Sequence, residues 1–348
     1  MKRLGVLTMT GLVLMLGWAA SAGAQSKELV IAAWGGLYEE GWRQSLIPAF
    51  EKKYGVKIIW VPGVSSATVA KMRAQKDNPE IDLAMMDDGP HRQAVALGLV
   101  DKVDRTKLTT TKDLYDIAFE KDDYGIGFGL TASGLFYNTN IFADNRWAPP
   151  TSWLDLYRPE LKGKISVHSI THASGLFLLL ALNKIAGGTD QNLNPGFAKA
   201  KELAPNVLTF DKFGETPTLI QQGTAVMGTW FLNSVVSVAN GGVPVEFVYP
   251  KEGTYAVKEV ITLVKGRRNQ DLAYKFIDML MTPEEQENTA KLIGMGPVNK
   301  LAKVDAATAK KVIYGPEFVS RLTFPDWTDI NANRPAWTER WNKEVERR

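Results

Sequence analysis

Four places in the chain carry side chains able to grip a small charged solute, and each follows an apolar run. Trp34 closes the run from Leu29 to Ala33 and is followed by Gly35-Gly36 and Tyr38. Asp87 and Asp88 follow the run from Ile81 to Met86. Thr171, His172 and Ser174 come shortly after Ile165-Ser166-Val167, and Trp230 closes the run that begins at Ala225. An aromatic face attracts an ammonium group by roughly 0.5–2 kcal/mol, most strongly where water is excluded. Trp34 and Trp230 therefore suit a cation, although a tryptophan is as readily a core residue. The two aspartates suit a cation as well, and an aspartate at a helix start also serves as its cap. Thr171, Ser174 and the free amides of a helix opening near Ala173 suit an anion, with His172 adding a charge when protonated.

Covalent chemistry finds little support. There are three histidines, His91, His168 and His172, and no cysteine, so the usual zinc ligand sets are missing and no metal or cofactor is expected. No G-x-S-x-G elbow occurs. Gly125-Ile126-Gly127-Phe128-Gly129 fits neither dinucleotide nor P-loop spacing and reads as extended chain under close backbone approach. These absences favour binding over catalysis.

The elements that must position these residues alternate. Glu28–Trp34 reads as a buried strand, Leu37 to Tyr54 as one helix, and Val56–Val61 as a second strand parallel to the first. A helix over about Val69–Lys76, a strand Ile81–Met86 and a helix over about His91–Leu97 repeat the pattern. Extended chain follows over Tyr124–Asn138, then a helical stretch Ser152–Leu161, a strand Lys164–Val167 and a helix from Thr171 to Ile185. Ala225–Trp230, Val245–Tyr249 and Val257–Val264 read as strands, and Phe231–Ala239, Asn269–Met281 and Pro283–Ile293 as helices. Strand–helix alternation of this kind gives an α/β fold with parallel sheets, whose ligands sit beyond the carboxyl ends of the strands. Trp327, Trp337 and Trp341 read as packing residues near the end of the chain.

The first twenty-four residues bear on location. Lys2 and Arg3, an apolar run to about Trp18, and Ala22-Gly23-Ala24 before Gln25 form a secretory signal with cleavage after Ala24. About 324 residues would remain, enough for two domains. Hydrophobic residues make up 45% and charged residues 23%, as in soluble globular proteins. The formal charge of +3 includes Lys2 and Arg3, so the remainder is nearly neutral and a nucleic-acid partner is not expected. An exported chain with no cysteine for a lipid anchor is expected in the periplasm, as a monomer.

The succession resembles the bacterial extracellular solute-binding proteins of ABC importers, in the spermidine/putrescine-binding branch. The resemblance rests on Leu29–Gly36, Ile81–Met86 with Gly98–Asp104 downstream, Gly134–Asn138, Pro150–Leu156, Leu161–Ile165 and Tyr249–Gly253. It implies a two-lobed, type II-like α/β fold with two crossing hinge strands, a solute held between the lobes, and delivery to permease subunits in the inner membrane. Crossings are expected near Thr131–Ser133 and Lys251–Val257. Lobe 1 would then take residues 25–131 and 259–298, and lobe 2 residues 132–258 and 299–348. Aligned with the polyamine binders, Trp34 is an aromatic contact and Glu259 an acidic one; Gly35 and Ser133 complete the expected site. Two departures stand out: Thr171-His172 replaces an acidic pair, and Val257 replaces a stacking tryptophan. A zwitterion therefore competes with a polyamine as ligand. An exported enzyme on the same scaffold, or an iron or anion carrier, are the other readings.

Overall fold

The computed structural model describes residues 27–212, 214–267, 269–320 and 322–347; the expected signal peptide lies outside them. Ten strands frame the fold: β1 (Lys27–Ala33), β2 (Val56–Pro62), β3 (Leu83–Asp87), β4 (Val100–Asp101), β5 (Ile126–Asn138), β6 (Ile165–His168), β7 (Val207–Asp211), β8 (Met227–Phe231), β9 (Val245–Val248) and β10 (Ala256–Val264). β1 runs parallel to both β2 and β3, as the helical crossovers require. β10 lies antiparallel between β3 and β5 and completes the first lobe's sheet. In the second lobe β6 runs parallel to β7 and β8.

β5 joins the two. Its Ile126–Ala132 half pairs with β10, and its Ser133–Asn138 half pairs with β8 and β9. All thirteen of its residues are buried, so neither half has a solvent face. At Gly134 the Phe247 ring and the Val248 carbonyl fill the space a Cβ would need, which is why the crossing strand carries glycine there.

Each lobe has its own core. Leu29, Ile31, Trp42, Phe50, Phe128 and Phe276 pack on one face of the first sheet. Leu135, Trp153, Ile165, Phe177, Leu179 and Phe197 anchor the second. Asn299 bonds back to Met281 and Ile313 packs in the first core, so the chain stays on the first lobe for some residues past 298. Trp327 and Trp341 are buried against the second core on a helix spanning Trp327–Trp341.

Two expected helices differ. The single helix from Leu37 to Tyr54 is two, Leu37–Gln44 and Leu46–Tyr54, broken at Ser45. Pro48 explains the break, since it offers no N–H to the Gln44 carbonyl and its ring would collide there. The stretch Ser152–Leu161 is two 3₁₀ turns, Trp153–Tyr157 and Pro159–Leu161, interrupted by Pro159.

Candidate functional site

β3 ends at Asp87, directly opposite Glu259 of β10. In this antiparallel register the two side chains share a face and their carboxyls meet. Glu259 is 2% exposed, and its Oε2 meets no donor among the described residues. Burial, then the charges of Asp87 and Asp88, raise the Glu259 carboxyl well above its ordinary range. Burial likewise raises Asp87, opposed by the Ser65 hydroxyl, which donates to Asp87 Oδ2 at 2.8 Å. Burial and mutual repulsion thus favour a proton shared between the two acids.

Aromatic rings wall this pair. Trp34 packs on Tyr38 with centroids 4.9 Å apart and on Phe128 at 6.5 Å. The Tyr38 hydroxyl accepts from Asn233 Nδ2 at 2.7 Å. Burial and the nearby Glu259 and Asp87 hold the hydroxyl proton firmly on the phenol. Asn233 belongs to the second lobe's helix Leu232–Asn240, and its Oδ1 accepts from Thr131 of β5 at 3.1 Å. The lobes are thus tied together beside the acid pair.

On the second lobe, His172 is the N-cap of the helix Ala173–Ile185, where its Nδ1 accepts from Ser174 N at 3.1 Å. That bond fixes the tautomer: Nδ1 is bare and Nε2 carries the hydrogen. Burial, reinforced by neighbouring His168, lowers its pKa to about 3. His172 stacks on His168 at 4.2 Å, and His168 lies 5.7 Å from the Trp230 ring. His168 donates from Nδ1 to the Thr229 carbonyl at 3.0 Å, and burial lowers its pKa.

The third contributor comes from the helix Trp327–Trp341. Trp327, Asn331 and Arg334 recur at i, i+4 and i+7, one face of the helix. Trp327 lies against Gly89 and 5.8 Å from Phe177, and Asn331 donates to the Gly89 carbonyl at 3.0 Å. Arg334 Nη2 donates to the carbonyls of Thr171 at 2.8 Å and Ile170 at 3.3 Å. The guanidinium acts electrostatically on both Asp87 and His172, and so stands near both the acid pair and the Thr171-His172 loop.

A two-lobed α/β shell with a polar site at its junction is the architecture of a solute carrier, and comparison with known proteins agrees. A family model for bacterial extracellular solute-binding proteins matches residues 45–315. The chain belongs to that family. It is 24% identical to the spermidine/putrescine-binding periplasmic protein of Escherichia coli, over 88% of this chain and 90% of that one. It is 25% identical to a γ-aminobutyric acid-binding protein of Pseudomonas aeruginosa, over 82% and 81%. The crystal structure of an ABC transporter protein from Clostridium perfringens superposes with a TM-score of 0.78 at 28% identity, covering 91% of this chain and 99% of that one. The protein is the periplasmic solute-binding component of an ABC importer and works with permease subunits. Among the described residues no helix is long and apolar enough to cross a membrane.

Within this solute-binding protein the expected site residues fall into three groups. Trp34, Tyr38, Asp87 and Glu259 come together, with Gly35 beside Pro62 at the end of β2. His172 and Trp230 meet through His168 within the second lobe, while Thr171 is exposed next to them. Ser133 and Ser174 are fully buried and joined to each other at 3.3 Å, which ties β5 to the helix below it. Asp88 turns away, with Oδ1 accepting from Gly89 N and its other oxygen facing Lys258 N. Two expectations are corrected. Asp87 makes no side-chain cap bond, because Ser65 and Glu259 take its oxygens. His172 brings no charge, because burial and His168 keep it neutral. Lys258 and Glu259 are both buried, on opposite faces, with Lys258 paired to Glu120. Asn233 and Arg334 were not foreseen. The 327, 331, 334 spacing was the available signal for Arg334.

Proposed function

We propose that this solute-binding protein captures a small solute through a protonated amine, seated against Asp87 and Glu259 and walled by Trp34 and Tyr38. The observation that carries the reading is the buried acid pair with one carboxylate oxygen lacking a donor. An ammonium group supplies three donors and a positive charge, which satisfies that oxygen and replaces the shared proton. The Trp34 face adds a cation–π contact in a site from which closure removes water. The two relatives named above are described as binders of spermidine or putrescine and of γ-aminobutyric acid, and a primary amine is what those ligands share. We read the protein as a monomeric carrier that leaves its ligand unaltered; the described residues offer it hydrogen bonds, charge and aromatic faces.

Calorimetry of the purified protein against putrescine, spermidine, γ-aminobutyrate and 2-aminoethylphosphonate tests this. One of these is expected to bind, and at a hundredfold excess over its Kd to stabilise the fold by about 2.7 kcal/mol. Asp87→Asn and Glu259→Gln are each expected to weaken binding by about tenfold or more, since each removes a charged hydrogen-bond partner of the amine. Unchanged affinity in both variants would remove the acid pair from the site.

A further inference from the structure

We infer that Arg334 receives an anionic group of the ligand, so that the solute is a zwitterion with one negative end and not a diamine. The inference rests on the amine reading above and concerns the opposite end of the same ligand. Arg334 is half-buried, no described ion pair includes it, and beyond the two loop carbonyls taken by Nη2 its N–H groups meet no acceptor among the described residues. A guanidinium held away from bulk water with donors to spare is a site for a carboxylate, which it can bind through two parallel bonds. Its position is fixed independently of any ligand. Trp327 and Asn331 dock the same helix face on Gly89 of the first lobe, and the loop carbonyls clamp the tip onto the second.

The surroundings favour a single negative charge. His172 contributes a neutral Nε2–H, and exposed Thr171 adds a hydroxyl beside it. The charges of Arg334 and Asp87 act on each other without a direct contact among the described residues. A zwitterion gives each charge a direct partner: its ammonium goes to Asp87 and Glu259, and its anion to Arg334. A diamine of similar length would instead bring its second ammonium against the guanidinium, a like-charge contact that rejects it.

The test compares γ-aminobutyrate, 2-aminoethylphosphonate, putrescine and spermidine on the wild type, Arg334→Gln and Arg334→Lys. The wild type is expected to prefer an amine bearing an anionic group over the diamine by about tenfold or more, the range of one charged contact. Arg334→Gln is expected to weaken the zwitterion and strengthen putrescine, narrowing or reversing that ratio. Arg334→Lys is expected to keep the order of preference. A purely structural role would lower the melting temperature of ligand-free Arg334→Gln and leave the ratio alone; that result, or wild-type preference for putrescine, overturns the inference while the amine reading stands. If no amine binds the wild type, the amine reading falls and takes this one with it.

Discussion

Asp87 and Glu259 keep two acids side by side because a proton is shared until a cation arrives, and this couples binding to pH. Affinity for an ammonium ligand is expected to rise with pH as the pair gives up its proton, and titrations in buffers of different ionisation heat should detect its release. The ligand-free protein should respond the other way. Burial raises Asp88 to about 7, above its value in the unfolded chain, and raises Glu285 to about 7 as well. Between those unfolded and folded values the native state binds more protons, so stability falls as pH rises through that window. The melting temperature is therefore expected to be higher near about pH 5.5 than near about pH 8, with Asp88→Asn flattening the slope. An equal slope in that variant would remove Asp88 as a cause. Asp87 was readable because a polar residue ended an apolar run. Arg334 was not, because its role depends on a contact between residues far apart in sequence.

Strands were legible where apolar runs ended at glycine or at a polar residue, as at β1, β2 and β3. Helices were misread where proline intervened, at Pro48 and Pro159. The helix Trp327–Trp341 escaped notice because Pro335 and a mixed polar face hide its period, although Trp327, Asn331 and Arg334 line one side. Its docking depends on Gly89, where a Cβ would stand 2.8 Å from the Trp327 ring. Gly89→Ala is expected to cost about 1–3 kcal/mol through overpacking and, by shifting the helix, to weaken ligand binding too. Urea unfolding and calorimetry on the one variant measure both. Lost stability with intact affinity would show that the helix does not position the site.

At the scale of the molecule, the lobes meet beside the acid pair through Asn233, which joins Tyr38 of the first lobe to Thr131 of the crossing strand. Asn233→Ala is expected to leave ligand-free molecules more open, seen as a larger radius of gyration in X-ray scattering, and to weaken binding by about tenfold. A scattering profile identical to wild type would show that this contact does not govern closure. The α/β class was legible in the strand–helix alternation and the two lobes followed from the family resemblance, but the polar contacts that bring the lobes together were not legible.

β5 has one more implication. Its thirteen residues are the shared spine of both sheets, and cutting the backbone between Ala132 and Ser133 would leave Ser133–Asn138 with β8 and β9 but part β10 from β3 and from the Ile126–Ala132 half. The first fragment would then lack the strand that lies between β3 and β5. Chain made first during synthesis must wait for β10, more than a hundred residues later, before its sheet can be completed, and an exported polypeptide in that condition depends on remaining unfolded until the whole of it has crossed.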